Sequence, residues 1–443
     1  VGREDITPPV GIYARNWGAA QHEVAEGVHR PLTVTALTLQ RQPEEPPLVL
    51  VAADLGWWRT NADEWYVRSG VLEALDLEPS RVMINLAHTH SGPSLCREDA
   101  DKPGGHLIGP YLDRVREAVV QATQHALATD QAATLAWGQG SCNLAACRDQ
   151  PDPDKPRFIC GINESVPADD TLLVGRVTSA DGKPLATLVH YACHPTTLAW
   201  QNRLISPDYV GALRELVEAQ TGGAPCLFLL GACGELAPRE EYTADTGIAD
   251  AHGRQLGFAT LAVLTDMLPP NVRLDYAGVM ESGAPLAVWQ RTPYAPDTTL
   301  EARRIEIELP IKADLPSLAE IQTQLEACTD RVFAERLLRK RRVRQTVGEG
   351  ALARVPVWIW RVGDALLIGH PNEAYSALQT ELRHAFPDAA VAVMNVVNGH
   401  CGYLPPESLY DHDIYPVWQT PFDRGCLEQT IQVCTEAVQA LLR

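Results

Sequence analysis

The chain has 443 residues, 45% of them hydrophobic and 21% charged, which is ordinary for a folded protein with a large core. Its formal net charge is −19, and an acidic balance of this size argues against a polyanionic partner such as nucleic acid. No apolar run reaches the roughly 18 residues of a membrane span, and the 11 cysteines include no CxxC pair, so no disulfide framework is read.

Taken in order, the chain alternates strand and helix signals. Residues 2–9 are a turn-rich entry. Residues 31–39 alternate and are β-branched, and they pair with residues 48–54 across the polar loop 42–47. A helix is expected over 61–74. The apolar run 82–87 reads as a buried strand that stops at His88-Thr89-His90. An amphipathic helix follows over 111–128 and a strand over 133–143. The Pro-, Asp- and Gly-rich stretch 144–169 is expected as a long loop, with Arg148 at its start.

The next strand, 185–193, delivers His194. A helix over 207–219 and a strand over 224–230 lead into a glycine-rich turn, Gly231 to Pro238. That turn lacks the Lys-Ser/Thr ending of a phosphate loop. A helix over 249–265 and strands over 272–279 and 302–311 come next. One long charged helix is expected over 317–344, with Arg339-Lys340-Arg341-Arg342 as its solvated face. A hairpin of 355–361 with 365–369, a helix over 373–384, a strand over 391–398 and a helix over 427–442 complete the chain. No internal repeat is visible. The expectation is one α/β domain over residues 1–443, with a mixed central sheet flanked by helices.

Several apolar runs end in potential metal ligands or acid/base groups: Asp54, the His88/His90 pair, His194, His370 with Glu373, and His400 to Tyr403. Ligands of such sheets sit at the strand ends. In extended chain, residues two apart share a face, which would aim His88 and His90 into one pocket. A catalytic zinc takes three protein ligands and keeps a place for water, and His88, His194 and Glu373 qualify. Tyr403 is a fourth candidate, provided a cation lowers its usual pKa of about 10. Each residue alone has a plain structural reading: a hydrogen-bonded histidine, a carboxylate at a helix N-terminus, a packed tyrosine. Together they point to one zinc ion at the strand ends. Cys193 and Cys401, nearby, read as small buried hydrophobes.

An ordered set of motifs resembles the catalytic domain of the neutral/alkaline, non-lysosomal ceramidase family. The set is Gly2 with Asp5-Ile-Thr-Pro8, Ala87-His88-Thr-His-Ser-Gly-Pro93, Cys193-His194-Pro-Thr, Arg203-Leu-Ile-Ser206 with Tyr209, Pro371-Asn-Glu373, and Gly402-Tyr403 with Pro406-Glu407. The resemblance implies His88, His194, Glu373 and Tyr403 as zinc ligands. It implies His90 facing the scissile bond, with Tyr415 and Arg148 as the other active-site groups. The family's Gly-Asp-x-Ser-Pro-Asn turn reads Gly234-Glu235-Leu236-Ala237-Pro238-Arg239 here. Ala237 therefore replaces the family's serine, while Glu235 and Arg239 bring charges expected to meet substrate. The family's C-terminal immunoglobulin-like domain is not expected.

The reading is a zinc-dependent hydrolase of an amide-type C–N bond in a small polar molecule. Two alternatives stay open: the same metal chemistry on an ester, lactone or glycosidic bond, and a non-catalytic metal- or ligand-binding protein on this scaffold. The expected partner is a small molecule, and oligomeric state is not readable. No signal peptide is visible, which gives a cytoplasmic expectation, with a removed leader left open.

Overall fold

Three stretches of the chain repeat one order of elements in the computed structural model, which describes residues 1–443. The first stretch contains β1 (Gly2–Asp5), β2 (Thr33–Leu39), β3 (Leu48–Ala53), α1 (Asn61–Leu75), β4 (Val82–Leu86) and α2 (Ile108–Ala128). The second contains β5 (Ala133–Ser141), β6 (Thr171–Ser179), β7 (Pro184–Tyr191), α3 (Tyr209–Gln220), β8 (Cys226–Leu230) and α4 (Thr246–Asp266). A hairpin of β9 (Val272–Glu281) and β10 (Pro285–Pro293) follows. The third contains β11 (Leu300–Pro310), β12 (Leu352–Val362), β13 (Ala365–Gly369), α7 (Ala377–Ala385), β14 (Ala390–Met394) and α9 (Cys426–Leu441). Into the third are set α5 (Leu318–Ala327) and α6 (Arg331–Val347), between β11 and β12, and α8 (Tyr415–Gln419).

Each module builds a four-stranded sheet in sequence order: two antiparallel pairings, then one parallel pairing across a helix. The parallel partners need a crossover, and α1, α3 and α7 supply it. The last strand of each sheet is apolar on both faces because both faces are covered; all five residues of β4 and of β8 are buried. A core of 18 buried residues draws Leu50 and Met83 from the first sheet, Leu188 and Leu229 from the second, and Trp360 and Met394 from the third. The sheets thus face one another across a shared interior.

At the C-terminal ends of β4, β8 and β14 the three modules close a ring of hydrogen bonds. Asn395 N–H donates to Leu230 O at 3.0 Å, Leu230 N–H to Asn85 Oδ1 at 2.9 Å, and Asn85 Nδ2 to Asn395 O at 2.8 Å. This repetition of topology was invisible in the sequence, where no repeat is detectable; the mixed α/β architecture is as expected, with its main strands divided among three four-stranded sheets.

Other expectations are corrected too. The long charged helix is two helices. Cys328 leaves α5 in extended backbone, and Asp330 caps α6 by accepting from Phe333 N–H at 2.7 Å. The stretch 144–169 is not open loop throughout: Leu144 to Asp149 is buried and pairs through Ala145–Cys147 with Leu236–Pro238. The helix expected from 373 starts at Ala377, and the strand expected to 398 stops at Met394, after which Val396 and Asn398 take positive φ. Strand β10 was not foreseen.

Candidate metal centre

The sequence places His88 and His90 just past β4, but not by strand alternation. His88 has φ +68°, a turn conformation rare outside glycine. The turn brings the two rings to 5.0 Å between centroids, and both line one cleft. His194 follows β7 in the same way. Glu373 lies past β13, where Glu373–Ala374 pairs in parallel with Tyr403–Leu404, so that Glu373 and Tyr403 are register partners.

The structure brings His88, His194 and Glu373 together with one ligand atom each, all within 4.8 Å of one another. The second nitrogen of each histidine is spoken for. His88 Nδ1 lies 3.2 Å from Gly56 O and His194 Nδ1 lies 3.0 Å from Leu236 O. A ring nitrogen facing a carbonyl oxygen must carry the proton, which leaves the lone pair on Nε2. Those two Nε2 atoms approach one oxygen, Glu373 Oε2, at 3.4 and 3.0 Å.

Two lone pairs converging on a carboxylate repel unless a positive charge lies among them. Burial drives the His194 pKa down to about 4, so that ring is neutral at pH 7. Burial by itself would raise the Glu373 pKa, and a cation bound between it and the two histidines would hold it ionised. Neutral nitrogen, neutral nitrogen and carboxylate, each backed by an outer hydrogen bond, fit a divalent transition metal such as zinc. The third outer bond is His400 Nε2 to Glu373 Oε1, at 2.8 Å.

His88 and Glu373 line a cleft that also presents Trp57, Tyr403, Tyr415 and His90, and His194 is buried behind them against Glu373. His90 is packed between Trp17 and Trp57, with ring centroids 4.9 and 4.8 Å away. Neither of its nitrogens has a hydrogen-bond partner. Burial first, then His88 and His194, push its pKa well below the ordinary value. Burial raises the pKa of Tyr415, against the pull of Arg339. Arg148 is buried and donates from Nη2 to Tyr403 Oη at 3.0 Å and to Gly234 O at 2.8 Å.

A family model described as neutral/alkaline non-lysosomal ceramidase, N-terminal, matches residues 1–227. The chain belongs to that family. Among solved structures, the crystal structure of a neutral ceramidase from Pseudomonas aeruginosa shares the fold with TM-score 0.70 at 17% identity, covering 99% of this chain and 73% of that one. A ceramidase complexed with C2 gives TM-score 0.69 at 16% identity, covering 98% of this chain and 73% of that one. A search of curated proteins returned no match.

Within this ceramidase fold, two expected residues lie elsewhere. The Glu235 carboxylate accepts from the Ser376 backbone N–H at 3.0 Å and from its hydroxyl, where α7 begins, and it does not line the cleft. Arg239 points outward, donating to Asn143 O at 3.0 Å. His370, also at a strand end, stays out of the cleft, buried with Nε2 unpartnered.

Four residues of the site were missed. His400 was noticed as a strand-end residue but given no role. Arg59 gave no signal. Arg339 and Arg342 were dismissed as a solvated face, yet both line the cleft. The available signal was spacing: positions 339, 342 and 343 fall on one helix stripe, and Val343 is apolar.

Proposed function

We propose that this chain is a zinc-dependent hydrolase that cleaves an amide-type C–N bond of a small polar substrate with metal-activated water. The observation that carries it is the convergence of His88 Nε2 and His194 Nε2 on Glu373 Oε2 beside a histidine, His90, whose own nitrogens are uncommitted. His88, His194 and Glu373 would hold the ion, which would supply a water of pKa near 7 and a Lewis acid for the substrate carbonyl.

The protein's own groups then divide the work. The Gly56 and Leu236 carbonyls fix the tautomers of His88 and His194, and His400 fixes the Glu373 carboxylate. Arg148 holds the Tyr403 oxygen toward the same centre. His90, neutral at pH 7, accepts a proton at a ring nitrogen and returns it to the departing amine, which is too basic to leave as an anion. Tyr415 keeps its proton and donates it in a hydrogen bond to the developing oxyanion. Trp17 and Trp57 shield His90 from bulk water.

Elemental analysis of the purified protein tests the centre. About one equivalent of zinc is expected, and it should be lost in a His88→Ala, His194→Ala double variant. Zinc unchanged in that variant would refute the assignment. Rates on paired amide and ester substrates test the acid/base roles. His90→Ala and Tyr415→Phe should each cost about a hundredfold on the amide, and much less on the ester.

A further inference from the structure

Helix α6 carries seven basic residues and one acidic residue, and it is inserted between two strands of the third module so that one face closes the cleft. Arg339 and Arg342 reach the cleft from this helix, and Arg59 meets them from the segment before α1. Their partners can be counted. Asp99 faces both Arg342, at 2.6 Å, and Arg59, at 3.5 Å. Glu335 faces Arg339 at 3.3 Å. Three guanidiniums therefore share two carboxylates. The neighbouring pairs Arg341–Glu98 and Arg97–Asp63 are matched one to one and do not change that sum. Glu373, the remaining acid of the cleft, is committed to three histidines.

The surplus is directed at the cleft. Arg339 uses Nε on Glu335 and Nη2 on the Asn16 carbonyl, and Arg342 uses Nη2 on Asp99. Nη1 of each has no partner within the protein. The Arg339 and Arg59 guanidiniums also sit over the Trp57 ring, 5.5 and 5.2 Å from its centroid, which fixes their planes. Fixed guanidinium forks are the usual receptor for an oxyanion. Arg148, expected as an active-site group, is spent on Gly234 O and Tyr403.

We infer that Arg339, with Arg342 and Arg59, receives a carboxylate of the substrate, so that the molecule cleaved is an amide carrying one free acid group. One surplus positive charge matches a monoanionic carboxylate better than a dianionic phosphate. The inference rests on the hydrolase reading for the word substrate, but the anion site itself is a matter of binding.

Calorimetric titration of the purified protein with N-acetyl-leucine and with its neutral carboxamide separates the two. The carboxylate form should bind at least tenfold tighter, and the preference should weaken as salt rises. Arg339→Gln should erase most of the preference and Arg339→Lys should keep part of it, with circular dichroism confirming that both variants fold. Equal binding of the two probes, a preference unchanged in Arg339→Gln, no binding of either probe at millimolar concentration, or tighter binding of inorganic phosphate would each overturn the proposal. Selective binding without turnover would leave the anion site standing and count against the hydrolase reading. Turnover of both probes without selectivity would do the reverse.

Discussion

Glu235 illustrates how one buried acid is retained without touching substrate. Its carboxylate satisfies the backbone N–H and hydroxyl of Ser376, where α7 begins. Burial nevertheless dominates and lifts its pKa from the ordinary 4.5 to about 7. The folded state therefore holds this proton more tightly than the unfolded chain does. Stability from this group is greatest below the unfolded value and is lost as pH rises from about 4.5 toward 7. The shift corresponds to roughly 3 kcal/mol at most. Replacing Glu235 by Gln keeps one acceptor and removes the charge. Its melting temperature relative to the parent should rise between pH 5 and pH 8, and a pH-independent difference would show that the carboxylate titrates normally.

At the scale of elements, close approach of helices places the crossover of the second module. Gly253 on α4 lies against α3 so tightly that a Cβ there would stand 2.2 Å from Tyr209 O and 2.7 Å from Ala212 Cβ. Neither neighbour is the flexible end of a side chain. Gly253→Ala should destabilise the protein by about 1–3 kcal/mol, read by denaturant titration, although alanine is the better helix former.

The same contrast explains what was legible beforehand. Strands with buried, one-character runs were located because burial on both faces leaves an unambiguous apolar signal, although the one ending at Met394 was drawn four residues too long. His88, His194 and Glu373 were found because each follows such a run. The break between α5 and α6 was missed because polar helical spacing continues across Cys328 to Asp330, and only the caps interrupt it. Arg339 and Arg342 were missed because a basic run reads alike whether it faces water or a cleft. Glu235 and Arg239 were misplaced because proximity along the chain to a pocket turn does not fix side-chain direction.

Over the whole molecule, the centre belongs to no single module. His88 comes from the first, His194 from the second and Glu373 from the third. The hydrogen-bond ring of Asn85, Leu230 and Asn395 ties the end of β4, which His88 follows, to the ends of β8 and β14, the parallel partners of the strands that His194 and Glu373 follow. Asn85→Ala should strand the Leu230 N–H and the Asn395 carbonyl, costing about 1–3 kcal/mol for each. Because the ring sets the spacing of the segments beyond it, the variant should also bind zinc more weakly in a competitive chelator titration. Unchanged zinc affinity in a destabilised Asn85→Ala protein would show that the segments hold their positions independently of the ring.

That shared ownership also orders events during synthesis. A nascent chain cannot bring the three candidate ligands together until Glu373 has cleared the ribosome, long after His88 has emerged. Until then the two histidine segments wait as an open half of the site.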